Sequence, residues 1–257
     1  MRTLIKLGGA LLDSADLRKQ VAAEIADLAR EGHRRLVLVH GGGKQMTRYL
    51  AERGVESRFI NGLRVTTPAV IDAVTKVFAG SVNSELVMAL RAAGARPVGL
   101  SGLAAGLVDA EILNPELGQV GRPVRSDPRL LELLTEAGYL PVVACIAGDS
   151  AGTIFNVNAD QMAVACASAF RAQTLLFLTD VEGVKDATGA VNARVTKSEA
   201  RGLIEDGVAT GGMQAKLEAS VHALENQVGE VLIAPGARPG VVGEILSGSA
   251  IGTRIIP

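Results

Sequence analysis

The stretch "LVLV" (36–39) is apolar at every position and runs straight into "HGGGKQM" (40–46). A strand that does not alternate polar with apolar residues must be covered on both faces, the usual condition of parallel strands enclosed by helices. The unit recurs along the chain. "TLIKL" (3–7) precedes a stretch in which Leu17, Val21, Ile25 and Leu28 return at helical spacing, with Asp13 at the expected N-cap and Gly32 at the expected C′ position. A helix is expected near 43–53, closed by Gly54, then helices over 68–78 and 80–93 and a strand over 95–100. "RLLELLTEAG" predicts a helix leading into the strand "YLPVVAC", followed by a helix over 158–170 and the strand "TLLFL" (174–178). This β-α-β rhythm predicts an open, largely parallel α/β sheet.

The rhythm fails between 102 and 125, where closely spaced glycines and prolines predict a hairpin excursion. In "SRFINGLRVT" (57–66) the pair Asn61-Gly62 between apolar flanks is a strong hairpin signal. No repeat or low-complexity linker divides the chain, and the least disruptive cut lies near 172, giving units 1–172 and 173–257.

Composition excludes several classes. A net charge of −1 and 3% aromatic residues leave neither a basic field nor a stacking surface for nucleic acid. Cys145 and Cys166 have no metal-ligand spacing and, with only His33, His40 and His222, make a zinc site improbable; the thiols read as buried small hydrophobes of a reducing cytosol. The N-terminus is not a signal peptide and no 18 apolar residues run together, so a cytoplasmic protein without a membrane span is expected.

Familiar phosphate motifs do not fit. Gly43-Lys44 is preceded at the Walker A distance by Leu38 and followed by Gln45, and Met46 stands where a dinucleotide fingerprint needs its third glycine. Yet Gly8-Gly9 and Gly41-Gly42-Gly43 each end a predicted strand and precede a predicted helix, which in a parallel sheet places both at the carboxyl edge where anions bind. Lys6 interrupts an otherwise apolar strand, either as an edge lysine facing water or as a cation facing a bound anion. "FNVNADQ" (155–161) gathers Asn156, Asn158 and Asp160 ahead of a helix, where a plain N-cap would serve equally. Thr179, Asp180 and Gly183 in "LTDVEGVKD" form a second carboxyl-edge loop. Lys216 in "TGGMQAKLEA" and Arg64 after the hairpin turn would by default be solvated surface charge.

In this order, "IKLGG", "VHGGG", "NGLRVT", "NVNADQ", "TDVEGV" and "GGMQAK" resemble the amino acid kinase family, most specifically its N-acetylglutamate kinases; "NGLRVT" and "NVNAD" are the most specific parts. The resemblance implies a three-layer αβα sandwich on an open, mostly parallel, eight-stranded sheet, with an N-terminal amino-acid lobe and a C-terminal nucleotide lobe. It implies ATP-dependent phosphorylation of the γ-carboxylate of N-acetyl-L-glutamate, with Mg²⁺ carried by the nucleotide and no protein metal site. Lys6 and Lys216 would flank the transferring phosphoryl group and Asp160 would hold both, a catalytic trio. Gly8, Gly9, Gly42 and Gly43 would offer backbone N–H groups to phosphates and substrate. Arg64 would take the α-carboxylate and Asn156 would position the acetylated substrate. Asp180, Val181, Glu182, Gly183, Val184 and Lys185, with Val208, Ala209 and Thr210, would bind the nucleotide.

A homodimer is implied, and because only five residues precede Lys6, insensitivity to arginine is expected. "SGLAAGLVDAEIL" (101–113) departs from the "SGKDG" form of many relatives, which bears on the substrate lid. The rival readings are a kinase for carrier-protein-linked aminoadipate and a catalytically idle binding member. Survival of Lys6, Asp160 and Lys216 argues against the second.

Overall fold

The computed structural model describes residues 1–32 and 34–257; His33 lies outside them. The first half runs β1 (Arg2–Leu7), α1 (Gly9–Asp13), α2 (Ala15–Arg30), β2 (Arg35–His40), α3 (Gly43–Ala51), the hairpin β3 (Phe59–Ile60) and β4 (Leu63–Arg64), α4 (Pro68–Val74), a π-helical segment (Thr75–Val82), α5 (Asn83–Ala92) and β5 (Pro97–Ser101). β6 (Val108–Ile112), β7 (Val120–Ser126), α6 (Arg129–Glu136), β8 (Leu140–Ala144), β9 (Ile146–Gly148), β10 (Ile154–Val157), α7 (Ala159–Ala169) and β11 (Thr174–Thr179) follow. The chain closes with β12 (Arg194–Thr196), α8 (Lys197–Glu205), α9 (Gly211–Glu225), β13 (Glu230–Pro235), α10 (Val241–Leu246) and β14 (Thr253–Ile256).

Eight strands form one sheet in the order β12-β14-β13-β11-β1-β2-β8-β5. All neighbours are parallel except β13 and β14. Leu4, Ile5, Val37, Leu38, Val142, Leu176 and Ile233 are fully buried, as strands covered on both faces require. α2 packs on α5, and α7 packs on α9. The 102–125 excursion is an antiparallel hairpin of β6 and β7 with a register shift at Asp109/Ala110, and β9 and β10 join it in a small second sheet. At the 57–66 hairpin Asn61 and Gly62 both adopt positive φ (49° and 76°), the conformation a two-residue type I′ turn needs.

Two local expectations change. Asp13 is the last residue of the short helix α1, and Ser14 caps α2 by accepting from Leu17 N–H, because the chain extends at Ser14 and α1 has already used the preceding residues. Asp13 instead pairs with Arg48 at 2.7 Å. The two helices expected over 68–93 are one continuous run whose middle is π-helical. There the wider rings, such as Asn83 N–H to Phe78 O, absorb Gly80 without a break.

Candidate active site

β1 lies in the middle of the sheet, and Lys6 pairs in register with Val39 on one side and Phe177 on the other. The edge-lysine reading therefore fails: the Lys6 side chain is 10% exposed, at the carboxyl end of a central strand. Its ammonium lies 2.8 Å from Asp160 Oδ1, an ion pair outside hydrogen-bond geometry. Asp160 is the second residue of α7, whose N-cap Asn158 accepts from the N–H groups of Asp160 and Gln161. A carboxylate in that first turn is favoured by the helix dipole.

From α9, Lys216 Nζ donates to Asp160 Oδ2 at 3.3 Å, so the lysine expected on a solvated helix face is 17% exposed and paired. Burial pushes the Asp160 carboxyl up. The two ammonium charges, that of Lys6 first, more than offset that and hold it below the usual carboxylate range. Two cations thus share one anion, leaving one positive charge uncompensated where the strands end.

The glycine loops abut each other there. Gly8 N–H donates to Leu178 O at 2.9 Å, and a Cβ on Gly8 would press on that same oxygen at 3.0 Å. A Cβ on Gly9 would lie 3.7 Å from Gly43 N. A Cβ on Gly42 would meet Phe78 and Val82 of the π segment at 3.0 Å, whereas one on Gly43 would meet nothing within 4 Å. The first α3 hydrogen bond is Met46 N–H to Gly42 O at 2.8 Å, so the amides of Gly42, Gly43 and Lys44 have no intrahelical acceptor. This is a ready anion site.

Arg64, expected as surface charge, is buried at 8% exposure. Its guanidinium donates to Thr47 Oγ1 (2.8 Å), Gly43 O (3.2 Å) and Ser57 Oγ, and stacks 4.6 Å over Phe59. The hairpin thereby delivers a cation to the first turn of α3. Asn156 Nδ2 donates to Thr66 Oγ1 at 3.0 Å, and Thr66 Oγ1 donates to Arg64 O at 2.9 Å, which links Asn156 to the same assembly. Ser57, Thr47, Phe59 and Thr66 carried no readable signal in the sequence, since each acts only by orienting a neighbour.

Asp180, Val181 and Glu182 emerge exposed beyond β11, next to β1. Val184 is fully buried with its N–H donating to Thr253 Oγ1, so this loop presents its outer residues and Lys185 to solvent. Ala209 is buried beside exposed Thr210 and half-buried Val208, just ahead of the helix that carries Lys216. Among the described residues no group of three His, Cys, Asp or Glu side chains could hold a metal. Cys145 and Cys166 are free, buried thiols pushed up to about 12 by burial. No helix among the described residues is long and apolar enough to cross a membrane.

His40, counted above only as a residue too scarce for zinc, is fully buried at the end of β2, and burial lowers it to about 4. A chain unfolded at pH 6 binds a proton at His40 that the native state refuses, so stability falls as pH drops from about 6.5 toward about 4. At about 1.4 kcal/mol per unit the loss is about 3 kcal/mol. Urea unfolding across that interval is expected to show this slope, and His40→Asn is expected to remove it.

The amino acid kinase family profile matches residues 1–235. Over 256 residues the chain is 60% identical to the acetylglutamate kinase of Solibacter usitatus, spanning 100% of this chain and 99% of that protein. The chain belongs to the amino acid kinase family. Within it, the acetylglutamate kinase of Acidobacterium capsulatum is 43% identical over 250 residues, covering 96% of this chain and 95% of that one. Among solved structures, N-acetylglutamate synthase of Neisseria gonorrhoeae, complexed with coenzyme A and N-acetyl-glutamate, superposes with a TM-score of 0.88 at 27% identity. That match covers all of this chain and 59% of the synthase.

Proposed function

We propose that this protein is an acetylglutamate kinase, transferring the γ-phosphoryl group of ATP to the γ-carboxylate of N-acetyl-L-glutamate in arginine biosynthesis. The observation that carries the reading is Asp160 held between Lys6 and Lys216, at 2.8 and 3.3 Å. The acceptor carboxylate is already ionised at neutral pH, so no general base is needed, which accords with His40, beside the glycine loop, being buried and neutral. One carboxylate oxygen bonds to the γ-phosphorus as the bond to the ADP oxygen breaks, and ADP leaves with the electron pair. The chain's task is to align two anions and offset their charge. Lys6 and Lys216 supply that charge, Asp160 keeps both aimed, and the amides of Gly9, Gly42 and Gly43 take phosphate and substrate oxygens, whereas the Gly8 amide, expected to join them, is spent on Leu178 O.

Arg64 binds the substrate α-carboxylate, and Asn156 its acetylated end. Asp180 to Lys185 and Val208 to Thr210 hold the nucleotide, with which Mg²⁺ enters. Residues 1–172 form the amino-acid lobe and 173–257 the nucleotide lobe of a cytoplasmic enzyme. Edge strand β5, with Met88 (56% exposed), Leu133 (64%) and Tyr139 (38%) on neighbouring elements, supports a homodimer. Light scattering on the eluting protein is expected to give twice the 26.5 kDa chain mass, and a monomer would remove that assignment.

The test is ATP-dependent turnover of N-acetyl-L-glutamate trapped as the hydroxamate, with L-glutamate and aminoadipate derivatives alongside. Selective turnover of the first is expected; none would refute the assignment. Arg64→Ala is expected to raise KM for N-acetyl-L-glutamate about 10- to 100-fold, the scale of one charged hydrogen-bonded contact, with KM for ATP unchanged. An equal rise in both would place Arg64 elsewhere.

A further inference from the structure

The glycine loop is held from beneath by a relay that leads from β8 through α5 to β2. Asn83, the first residue of α5, is 5% exposed and donates from Nδ2 to Val142 O at 2.9 Å. That carbonyl can only accept, so the amide nitrogen of Asn83 faces it. The same nitrogen lies 2.9 Å from His40 Nε2, and a donor there leaves Nε2 unprotonated. The ring proton is therefore on Nδ1, which donates to Gly41 O at 2.8 Å. The space is built for this arrangement: any Cβ on Gly99 would run into Asn83 Oδ1, and the π segment that ends just before Asn83 also packs Phe78 and Val82 under Gly42.

A trans peptide points its C=O and the following N–H in opposite directions. With Gly41 O drawn onto the buried His40 ring, Gly42 N–H points away from that ring, at the N-terminus of α3, whose next residue, Gly43, is exposed. We infer that His40, oriented by Asn83, is a positioning residue for phosphoryl transfer: it locks the Gly41–Gly42 peptide so that the Gly42 amide is presented to the moving phosphoryl group. The inference rests on the proposed role of Gly42 as a phosphate donor. A donor held before the reaction costs no reorganisation during it, so its loss is felt in kcat more than in KM.

Two variants separate this from simple packing. His40→Leu fills the volume without a donor, and His40→Asn places an amide nitrogen close to the Nδ1 position. In the hydroxamate assay, folded His40→Leu is expected to lose about tenfold or more in kcat, with KM for ATP and N-acetyl-L-glutamate within about threefold of wild type, and His40→Asn to recover most of the loss. Full kcat in folded His40→Leu, equal loss in both variants, or a change confined to KM would overturn the inference. Should His40→Leu not fold, His40→Gln, which reaches Asn83 but has no donor at the Nδ1 position, carries the same expectation. The ¹⁵N spectrum of the wild-type ring at pH 7.5 is an independent readout: a protonated Nδ1 is expected, and a protonated Nε2 would overturn the inference. Absence of wild-type turnover would instead remove the proposed substrate, and the ring spectrum would still decide the tautomer.

Discussion

Lys6→Ala is expected to lower kcat about 10²- to 10³-fold while leaving a folded protein, the scale found when one preorganised donor to a developing charge is removed. The fold survives because Asp160 keeps Lys216 as a partner at 3.3 Å, so no buried carboxylate is orphaned. The chemistry does not survive, because the remaining ammonium is then neutralised by Asp160 and the site loses its net positive charge. Hydroxamate turnover and a thermal melt on the same preparation check both halves. Unchanged turnover by folded Lys6→Ala would remove the lysine pair from the mechanism.

Asp160→Ala inverts the balance. Two ammonium groups that approach the same carboxylate to 2.8 and 3.3 Å would face each other with side chains only 10% and 17% exposed. Breaking a buried ion pair from one side costs about 3–5 kcal/mol. Lys216 has the freer path to water, which places the expected loss at about 3 kcal/mol, with turnover lowered as strongly as in Lys6→Ala. Urea unfolding at constant slope measures it, and a loss below about 1 kcal/mol would show that the lysines do not depend on Asp160. The contribution has a defined pH window. The Asp160 carboxyl is lowered in the native state by its lysines, so its stabilisation is complete above the ordinary carboxylate value near 4 and fades as pH falls through the lower native value.

Most strands and helices were legible because burial on two faces leaves a uniform pattern, as in "LVLV" and "TLLFL", and because glycines mark the loops at strand ends. Lys6 was legible for the same reason, as a charge in a run that tolerates none. Lys216 was singled out only by the family resemblance, because its partner is 56 residues away and depends on α9 packing against α7. Arg64 looked like surface charge because the groups that bury it, Phe59, Thr47 and Ser57, are unremarkable singly. His40 looked inert because a histidine's role is set by which nitrogen carries the proton, and that is decided by Asn83, 43 residues on. Asp13 misled because Ser14 offered an equally good cap one residue later.

The π-helical run at Thr75–Val82 makes chain length itself a functional variable. A wide turn holds one residue more than an α turn, so deleting one residue there lets an ordinary α-helical winding return with the later side chains still in phase. A further inserted residue has no such slack and swings every later side chain on that helix by about 100°. Asn83 would then point away from the end of β2. Over evolutionary time, this stretch is expected to lose a residue more readily than to gain one.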